Sequence, residues 1–599
     1  MSYLTIVQAD SPARFWLFDD AGSTITDHQG VTNLTKPTGM TMSQPGLLTG
    51  DATTAATHDG SNPVVLGTVL DTLNFDFDEN WSMEFLLDSS CARSGSDAQY
   101  CLAGMLANSG AFDGLEILLN FNQTTQTSRS LVDLPAWMTV RIYQADPGGT
   151  AAIDAYACCD VPNSEKVHIV VTNQMVGGVG MPRVYVNGNA IQMNYVRTNT
   201  IGTTLTGRTG YLLKRTGGSP GFSGTIQAVA LWQSVLTETQ VLKHYLAAEA
   251  IAYDPSNYLY SAFKGKDTDL ADLRLSNPYI VYDGGFYYAF GMATTGDDVN
   301  LGGGPPDAWD QNDVTSITVY KSATMLPGTW AKAGTAGIAL DASAVTGIFA
   351  SIRPSVAFNP TTNKWVMFCR MYTGGGADGV LISEADDIDG PYTVVVEAMQ
   401  PNGVENADCA LLADGADGYV VYGDAAGSNL YISALTSNWH ATSGSATLVS
   451  AEDKEGICCF IRGGKYFITA GNLEYYNGAD CQDVGYYSAS SPLGTWSAFT
   501  SAYAGGINPY GTGYASQSTG CVMNLQGTSR WLYFGDYWHN GYLSNSTIVV
   551  MELTFPSSTT FTMQPQKAIR LTALVPSGRA GILSGGAMSG VGLMSGGVM

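Results

Sequence analysis

The hexapeptide Gly463-Gly464-Lys465-Tyr466-Phe467-Ile468 is a turn followed by an aromatic strand, and the pattern does not stand alone. It recurs as Asp283-Gly284-Gly285-Phe286-Tyr287-Tyr288, Thr362-Asn363-Lys364-Trp365-Val366-Met367, Asp417-Gly418-Tyr419-Val420-Val421-Tyr422 and Gly527-Thr528-Ser529-Arg530-Trp531-Leu532-Tyr533. A further strand follows most copies and often ends in a Pro/Gly-Trp turn. Thus Thr318-Val319-Tyr320-Lys321-Ser322 leads to Leu326-Pro327-Gly328-Thr329-Trp330, and Val484-Gly485-Tyr486-Tyr487-Ser488 leads to Ser491-Pro492-Leu493-Gly494-Thr495-Trp496. Turn-plus-aromatic hairpins at intervals of roughly 50–80 residues are what four-stranded propeller blades produce. Five copies predict five blades.

Working outward, strand signals rich in Val, Ile, Tyr, Phe and Trp continue toward the N-terminus. In Trp81-Ser82-Met83-Glu84-Phe85-Leu86-Leu87 the alternation puts Trp81, Met83, Phe85 and Leu87 on one face. Asn187-Gly188 suits the positive φ angles of a tight hairpin. One good helix signal runs from about Thr237 to Ala252, where Thr237 can cap the N-terminus and Val241, Leu242, Tyr245 and Leu246 form an apolar stripe. Tyr253-Asp254-Pro255-Ser256-Asn257 then reads as a linker. The expected organisation is all-β: a sandwich over 1–252, a five-bladed propeller over 253–565, and a Gly/Ser/Met-rich tail over 566–599. That tail has no charged side chain after Arg579 and suits an assembly contact.

Composition limits what such a chain does. Its 599 residues are about four times a typical domain, and 45% are hydrophobic against 13% charged, so large cores are affordable and wholesale disorder is excluded. With 27 Lys+Arg against 52 Asp+Glu, the net charge of −25 repels phosphate backbones and anionic lipid, which argues against nucleic-acid and membrane partners. No apolar stretch approaches the roughly 20 residues of a membrane span. The opening Met1-Ser2-Tyr3-Leu4-Thr5-Ile6-Val7 lacks a basic n-region and a long apolar h-region, so no secretory signal is expected. Ten cysteines, including the adjacent pairs Cys158-Cys159 and Cys458-Cys459, lack zinc-ligand spacing and read mostly as free buried thiols.

Two resemblances add to this reading. Phe15-Trp16-Leu17-Phe18-Asp19-Asp20-Ala21-Gly22, Asp27-His28-Gln29-Gly30 and the run Phe222 to Trp232, closed by His244-Tyr245-Leu246, resemble laminin-G/concanavalin-A-like jelly rolls. Sandwiches of that kind bind sugars, bind proteins or space other domains. Asp19, Asp20 and Asp27 offer hard oxygen ligands for a structural calcium ion, although such residues more often cap turns; no other cofactor is implied.

In a propeller, the residues just ahead of each aromatic hairpin converge on the axial channel. They are Asn277-Pro278, Arg353-Pro354-Ser355, Asn406-Ala407-Asp408, Glu455-Gly456 and Ser516-Gln517-Ser518-Thr519. Over roughly 270–555, Asp408 to Gly415, Glu455-Gly456, Ile352 to Asn359 and Ser516 to Thr519 with Phe534 to Trp538 resemble glycoside hydrolase family 43, in its exo-β-1,3-galactanase-like branch. That resemblance implies Glu455 as general acid, Asp408 as the carboxylate that holds and tunes it, and Gln517 in place of a base on the last blade. Asn277 stands where most of the family has an Asp, and Ile352 stands where the branch expects a Glu, so the catalytic set is incomplete. Asn277, Arg353, Tyr514 and Trp538 are candidate sugar contacts, with Tyr537 beside them. His440 and His539 have no Ser or Cys partner at motif spacing, which leaves nucleophilic triads unsupported.

Three functions fit. The first is a bacteriophage virion protein (tail fibre, tailspike or appendage), homo-oligomeric and attached to other virion proteins, that recognises host-surface polysaccharide. The second is an active inverting hydrolase of galactan or an arabinose- or xylose-containing polymer. The third is a structural decoration protein with an inert propeller.

Overall fold

In the computed structural model the described residues run from 2 to 571, apart from connecting segments of which 122–136, 301–315, 472–483 and 503–516 are the longest. The expected tail beyond residue 571 and the candidates Tyr514, Trp538 and His539 lie outside the described residues. The chain is all-β, as its strand signals require, and divides into two compact units: Met1–Tyr253 with Gly296–Ala308, and Asp254–Thr295 with Trp309–Met599. Among the described residues no helix is long and apolar enough to cross a membrane.

The first unit is built on two eight-stranded sheets. Strand Trp81–Asp88 sits centrally in one of them, paired with Lys166–Val176 and Ser223–Trp232. Its alternation is the expected one. Trp81, Met83, Phe85 and Leu87 enter a core shared with Leu102, Met105, Ile117, Val140 and Ile142 of the facing sheet. The other face carries Leu86, packed with Ala228, Ala230 and Trp232 beneath two helices. One is the expected helix, Glu238–Ala248, with Thr237 and Gln240 forming a reciprocal capping box. The other, Tyr3–Ala9, was not anticipated: Ser2 caps it, and Tyr3 and Val7, four residues apart, form its buried face.

The turn acids behave as caps. Asp27 accepts the backbone N–H groups of Phe15, Gln29, Val31 and Thr32, and Asp20 accepts the Thr26 backbone N–H and the Thr26 hydroxyl. Asp20 and Asp27 thus take the capping role, and among the described residues no group of three or more His, Cys, Asp or Glu side chains could hold a metal ion. The described cysteines, Cys101, Cys369, Cys409, Cys458, Cys459 and Cys521, are free thiols; the side chains of Cys158 and Cys159 lie outside the described residues.

Under the helices a charged cluster is fully enclosed. The Tyr3 hydroxyl donates to Glu84 Oε1 at 2.5 Å, His168 Nε2 lies 3.0 Å from the same oxygen, and His244 Nδ1 lies 2.6 Å from Oε2. His244 Nε2 reaches Asp10 Oδ2 at 2.9 Å, so both helices are tied to one carboxylate on the sheet. Burial pushes the Glu84 pKa up, but the two imidazoles pull it well below the carboxylate range. Desolvation likewise opposes the His244 imidazolium, and the Glu84 charge and the bonds from Asp10 and Glu84 outweigh it, raising the pKa to about 9.

The second unit is a ring of five sheets. Blade one has inner strand Leu275–Asp283, then Phe286–Ala293 and Ser316–Ser322, with Ala331–Lys332 and Ile338–Asp341 sharing its outer edge. Blade two runs through Ala350–Asn359, Lys364–Tyr372, Gly379–Ala385 and Thr393–Met399, and blade three through Asn406–Asp414, Asp417–Asp424, Leu430–Leu435 and Thr442–Ser450. Blade four comprises Glu455–Arg462, Lys465–Gly471, Gly485–Ala489 and Thr500–Ser501; blade five comprises Gln517–Asn524, Trp531–Tyr537, Thr547–Thr554 and Thr562–Pro565. The inner strands touch in a closed cycle, the fifth against the first. Four of the predicted turns join an inner strand to its neighbour; in blade three the turn is Gly415-Ala416, and Asp417-Gly418 already begin the second strand, paired with Asp414 and Ala413. At Gly463-Gly464 both residues have positive φ, 57° and 71°.

The hydrophobic cores lie between blades: one and two, two and three, three and four, and a larger one joining four, five and one. Aromatic strands fill them, with Phe460 stacked on Phe467 at 4.8 Å between ring centroids. Strand Tyr258–Tyr260 pairs with Ala568–Arg570, joining the two ends of this unit.

Because the folded-state pKa of His244 exceeds its ordinary 6.5, its contribution is complete below that value and is lost as pH rises through about 9. The gap amounts to roughly 3 kcal/mol. Calorimetric melting from pH 6 to 10 should show the transition of the first unit falling in the wild type. His244→Gln should start lower and stay nearly flat across that window; parallel curves would contradict the assignment.

Candidate functional site

Every inner strand breaks its ladder at the same level. The register shifts fall between Ser276 and Tyr279, Ile352 and Ser355, Asn406 and Cys409, Glu455 and Cys458, and Gln517 and Cys521. Residues inside a bulge leave the ladder, so their polar groups must find partners elsewhere. All five candidates with described positions fall in these windows: Glu455 and Gln517 just before the break, Asn277 and Arg353 at its first residue, and Asp408 at its second. Asn277, Arg353 and Gly456 share the left-handed region, with φ of 55°, 59° and 64°. That conformation is natural for Gly456, tolerable for Asn277 and costly for Arg353, roughly 1 kcal/mol, so Arg353 needs a compensating interaction.

Asp408 supplies it. Its carboxylate, fully buried, contacts the Arg353 guanidinium, lies 3.2 Å from Arg370 Nη1, and accepts the Gly456 N–H at 2.7 Å. Arg370 also reaches Asp378 at 2.9 Å, and the Asp378 N–H donates to Glu405 Oε1 at 3.1 Å. One carboxylate thus joins blades two, three and four. This changes two expected roles. The Asp408 charge is compensated by two guanidinium groups, so it does not act on Glu455 as an uncompensated negative charge, and it also holds the backbone of the neighbouring Gly456. The Arg353 side chain, 7% exposed, is engaged with Asp408.

Asn277 is buried and turned to a residue that the sequence reading did not single out. Asp536, on the second strand of blade five, accepts the Asn277 backbone N–H at 3.0 Å, the Asn277 Nδ2 at 2.7 Å and the Ser276 hydroxyl, all on Oδ2. Desolvation raises the Asp536 pKa to about 6, with those bonds and the Arg353 charge restraining the rise. Glu455 is half-buried at the rim, and Lys454 beside it lies over the Phe499 ring, 4.1 Å from its centroid. The backbones of Gln517 and Ile352 are described but their side chains are not, and the same holds for Tyr537. His440, expected to be solitary, meets Glu384 at 2.8 Å.

Arg370 and Asp536 had a signal. Each is a charge inside an otherwise apolar strand, where charged residues are depleted. Each also stands cross-strand from the residue before an inner-strand break, Arg370 opposite Ile352 and Asp536 opposite Gln517.

No family model matches the chain, and no curated protein does. Among solved structures the chain is similar to a family-43 β-1,3-galactosidase, at 21% identity over 53% of this chain, with a TM-score of 0.45. It spans 64% of that protein's length. An exo-β-1,3-galactanase from Phanerochaete chrysosporium, solved with galactose, is 22% identical over 53% of this chain and 70% of its own, with a TM-score of 0.44. One from Clostridium thermocellum is 18% identical over 52% and 66%, with a TM-score of 0.45.

Removing Asp408 leaves two guanidinium groups without their shared anion. Asp408→Ala should therefore cost about 3–5 kcal/mol. Calorimetry should show the propeller transition lowered by on the order of 10 °C. Glu455→Gln, a same-sized change at a half-buried position, should shift it by no more than a degree or two (about 0.5 kcal/mol); equal losses in both variants would refute Asp408 as the clasp.

Proposed function

We propose that the propeller hub binds a glycan. The observation that carries this reading is the common break in five inner strands, which gathers an acid, a carboxamide-bearing strand position and a buried ion network at one level around the axis. Hydroxyl-rich ligands are held by such fixed donors and acceptors. The groups that face them have to be rigid, and here Asp408 and Asp536 fix the bulges from behind. In this reading Glu455 and Gln517 touch the sugar, Asn277 supports the contact, and Tyr514 and Trp538 supply stacking surfaces.

The setting we propose is a bacteriophage virion appendage engaging host-surface polysaccharide, with the sandwich as a lectin-like or spacing module and the Gly/Ser/Met-rich tail as an assembly contact between copies or with other virion proteins. The pairing of a sandwich with a propeller, the acidic surface and the composition of the tail support that setting. Hydrolysis is the second reading, favoured by the half-buried position of Glu455, which suits a general acid.

Galactan, arabinan and xylan oligosaccharides, titrated calorimetrically and assayed for released reducing ends, separate these readings. Binding without release, weakened tenfold or more (about 1.4 kcal/mol) by Gln517→Ala, is expected of a recognition hub. Release abolished by Glu455→Gln would establish the hydrolase. A wild-type protein that neither binds nor cleaves any member, and does not adhere to cells, would leave the propeller a structural part.

A further inference from the structure

In the glycan reading Asp536 holds a bulge, and its bonds to Asn277 say more about what that does. It is 1% exposed and stands opposite Gln517 in the ladder of blade five, yet its bonds cross to blade one. The backbone N–H and the side-chain Nδ2 of Asn277 both donate to one of its oxygens, with the Ser276 hydroxyl on the same atom. Two donors from a single residue fix two things together. The backbone bond holds Asn277 at φ 55°, and the side-chain bond sets its planar carboxamide so that Oδ1 points away from Asp536.

Resting on the glycan reading above, we propose that Asp536 is a positioning residue of the hub, holding the buried Asn277 in the backbone conformation and carboxamide orientation that support the sugar contacts beside it. Charge matters to that task. An ionised carboxylate accepts three charge-assisted bonds, whereas a protonated one weakens them and presents a donor of its own. Its surroundings leave it poised between the two forms. The charge acting on it is Arg353 of blade two, itself engaged with Asp408. Blade one brings Ser276 and Asn277, and the flanking strands of its own blade place Gln517 and Ile548 opposite it, none of them titratable. Desolvation raises its pKa to about 6.

The test compares wild type, Asp536→Asn and Ser276→Ala as full chains, titrated from pH 4.5 to 8 with the oligosaccharide of the galactan, arabinan and xylan panel that binds wild type. Wild-type affinity should rise about tenfold across a midpoint near pH 6, the value to which the Asp536 pKa is raised. In Asp536→Asn the profile should be flat. Ser276→Ala, which removes one donor to the ionised form, should keep the dependence but move its midpoint upward. Melting gives a readout without ligand. A carboxyl whose folded pKa is raised favours the native state when protonated, so wild-type stability relative to Asp536→Asn should fall as pH rises from 4 to 6 and then level. Binding that is independent of pH, that titrates identically in Asp536→Asn, or a melting difference flat over that window, overturns the role of Asp536. Absence of wild-type binding at every pH overturns instead the glycan reading on which the role rests.

Discussion

The innermost strand of a propeller blade has a ladder partner on one side only. Its other edge and every residue that leaves the ladder must be satisfied by the next blade, because no further strand is there to do it. In this protein the inner edges are met by single side-chain bonds, as where the Leu411 N–H donates to Ser355 Oγ and the Ile280 N–H to Cys521 Sγ. Three of the five bulges are met by two buried carboxylates. Asp408 takes the bulges of blades two and four, and Asp536 takes that of blade one. The shape of the hub therefore depends on two acids that face away from solvent.

Burying such charges is expensive, and in general an ion pair in a core is weak evidence of stability. The cost falls here because each carboxylate meets several donors at once and is shared between elements that a hydrophobic side chain would not orient. The same device recurs at Glu84 in the first unit, where one carboxylate collects Tyr3, His168 and His244 and so docks two helices on a sheet. In both units, apolar burial supplies the bulk of the cohesion while a buried acid fixes the register in which the parts meet. Breaking one partner of such a cluster strands the others, which is why the acids rather than the aromatic residues set the geometry.

The repeat was legible because a tight turn followed by aromatic residues leaves the same residue types each time: Asn363, Gly415 and Gly463 all hold positive φ at the hairpins. Likewise, the alternation of Trp81, Met83 and Phe85 reports a face buried in a core. Helix Tyr3–Ala9 escaped notice since its burial rests on only two residues, Tyr3 and Val7, inside a short segment with no lasting periodicity. At the hub, position in the repeat was enough to place Asp408, Glu455, Gln517, Asn277 and Arg353 at one level. It was not enough to say what each side chain does there. Arg353 and Asn277 look like ligand contacts in a one-dimensional reading, and only the fold reveals that Asp408 and Asp536 occupy them. Asp536 went unassigned because it belongs to a second strand, and the reading looked for chemistry on first strands.

Arg353 links the two carboxylates. It contacts Asp408 and also acts on Asp536, so the two clasps, on blades three and five, are coupled through a residue of blade two. Electrostatic coupling of that kind makes energies non-additive: replacing one member changes what the others contribute, and no single residue owns its share. The hub is then better regarded as one polar unit spanning the ring than as five separate blade ends. A change at Glu455 acts on the backbone whose next N–H binds Asp408, and through Arg353 on the carboxyl that holds Asn277. The end of blade four is in this way conditioned by the state of blades one and five, a dependence that follows from closing the ring rather than from any one side chain.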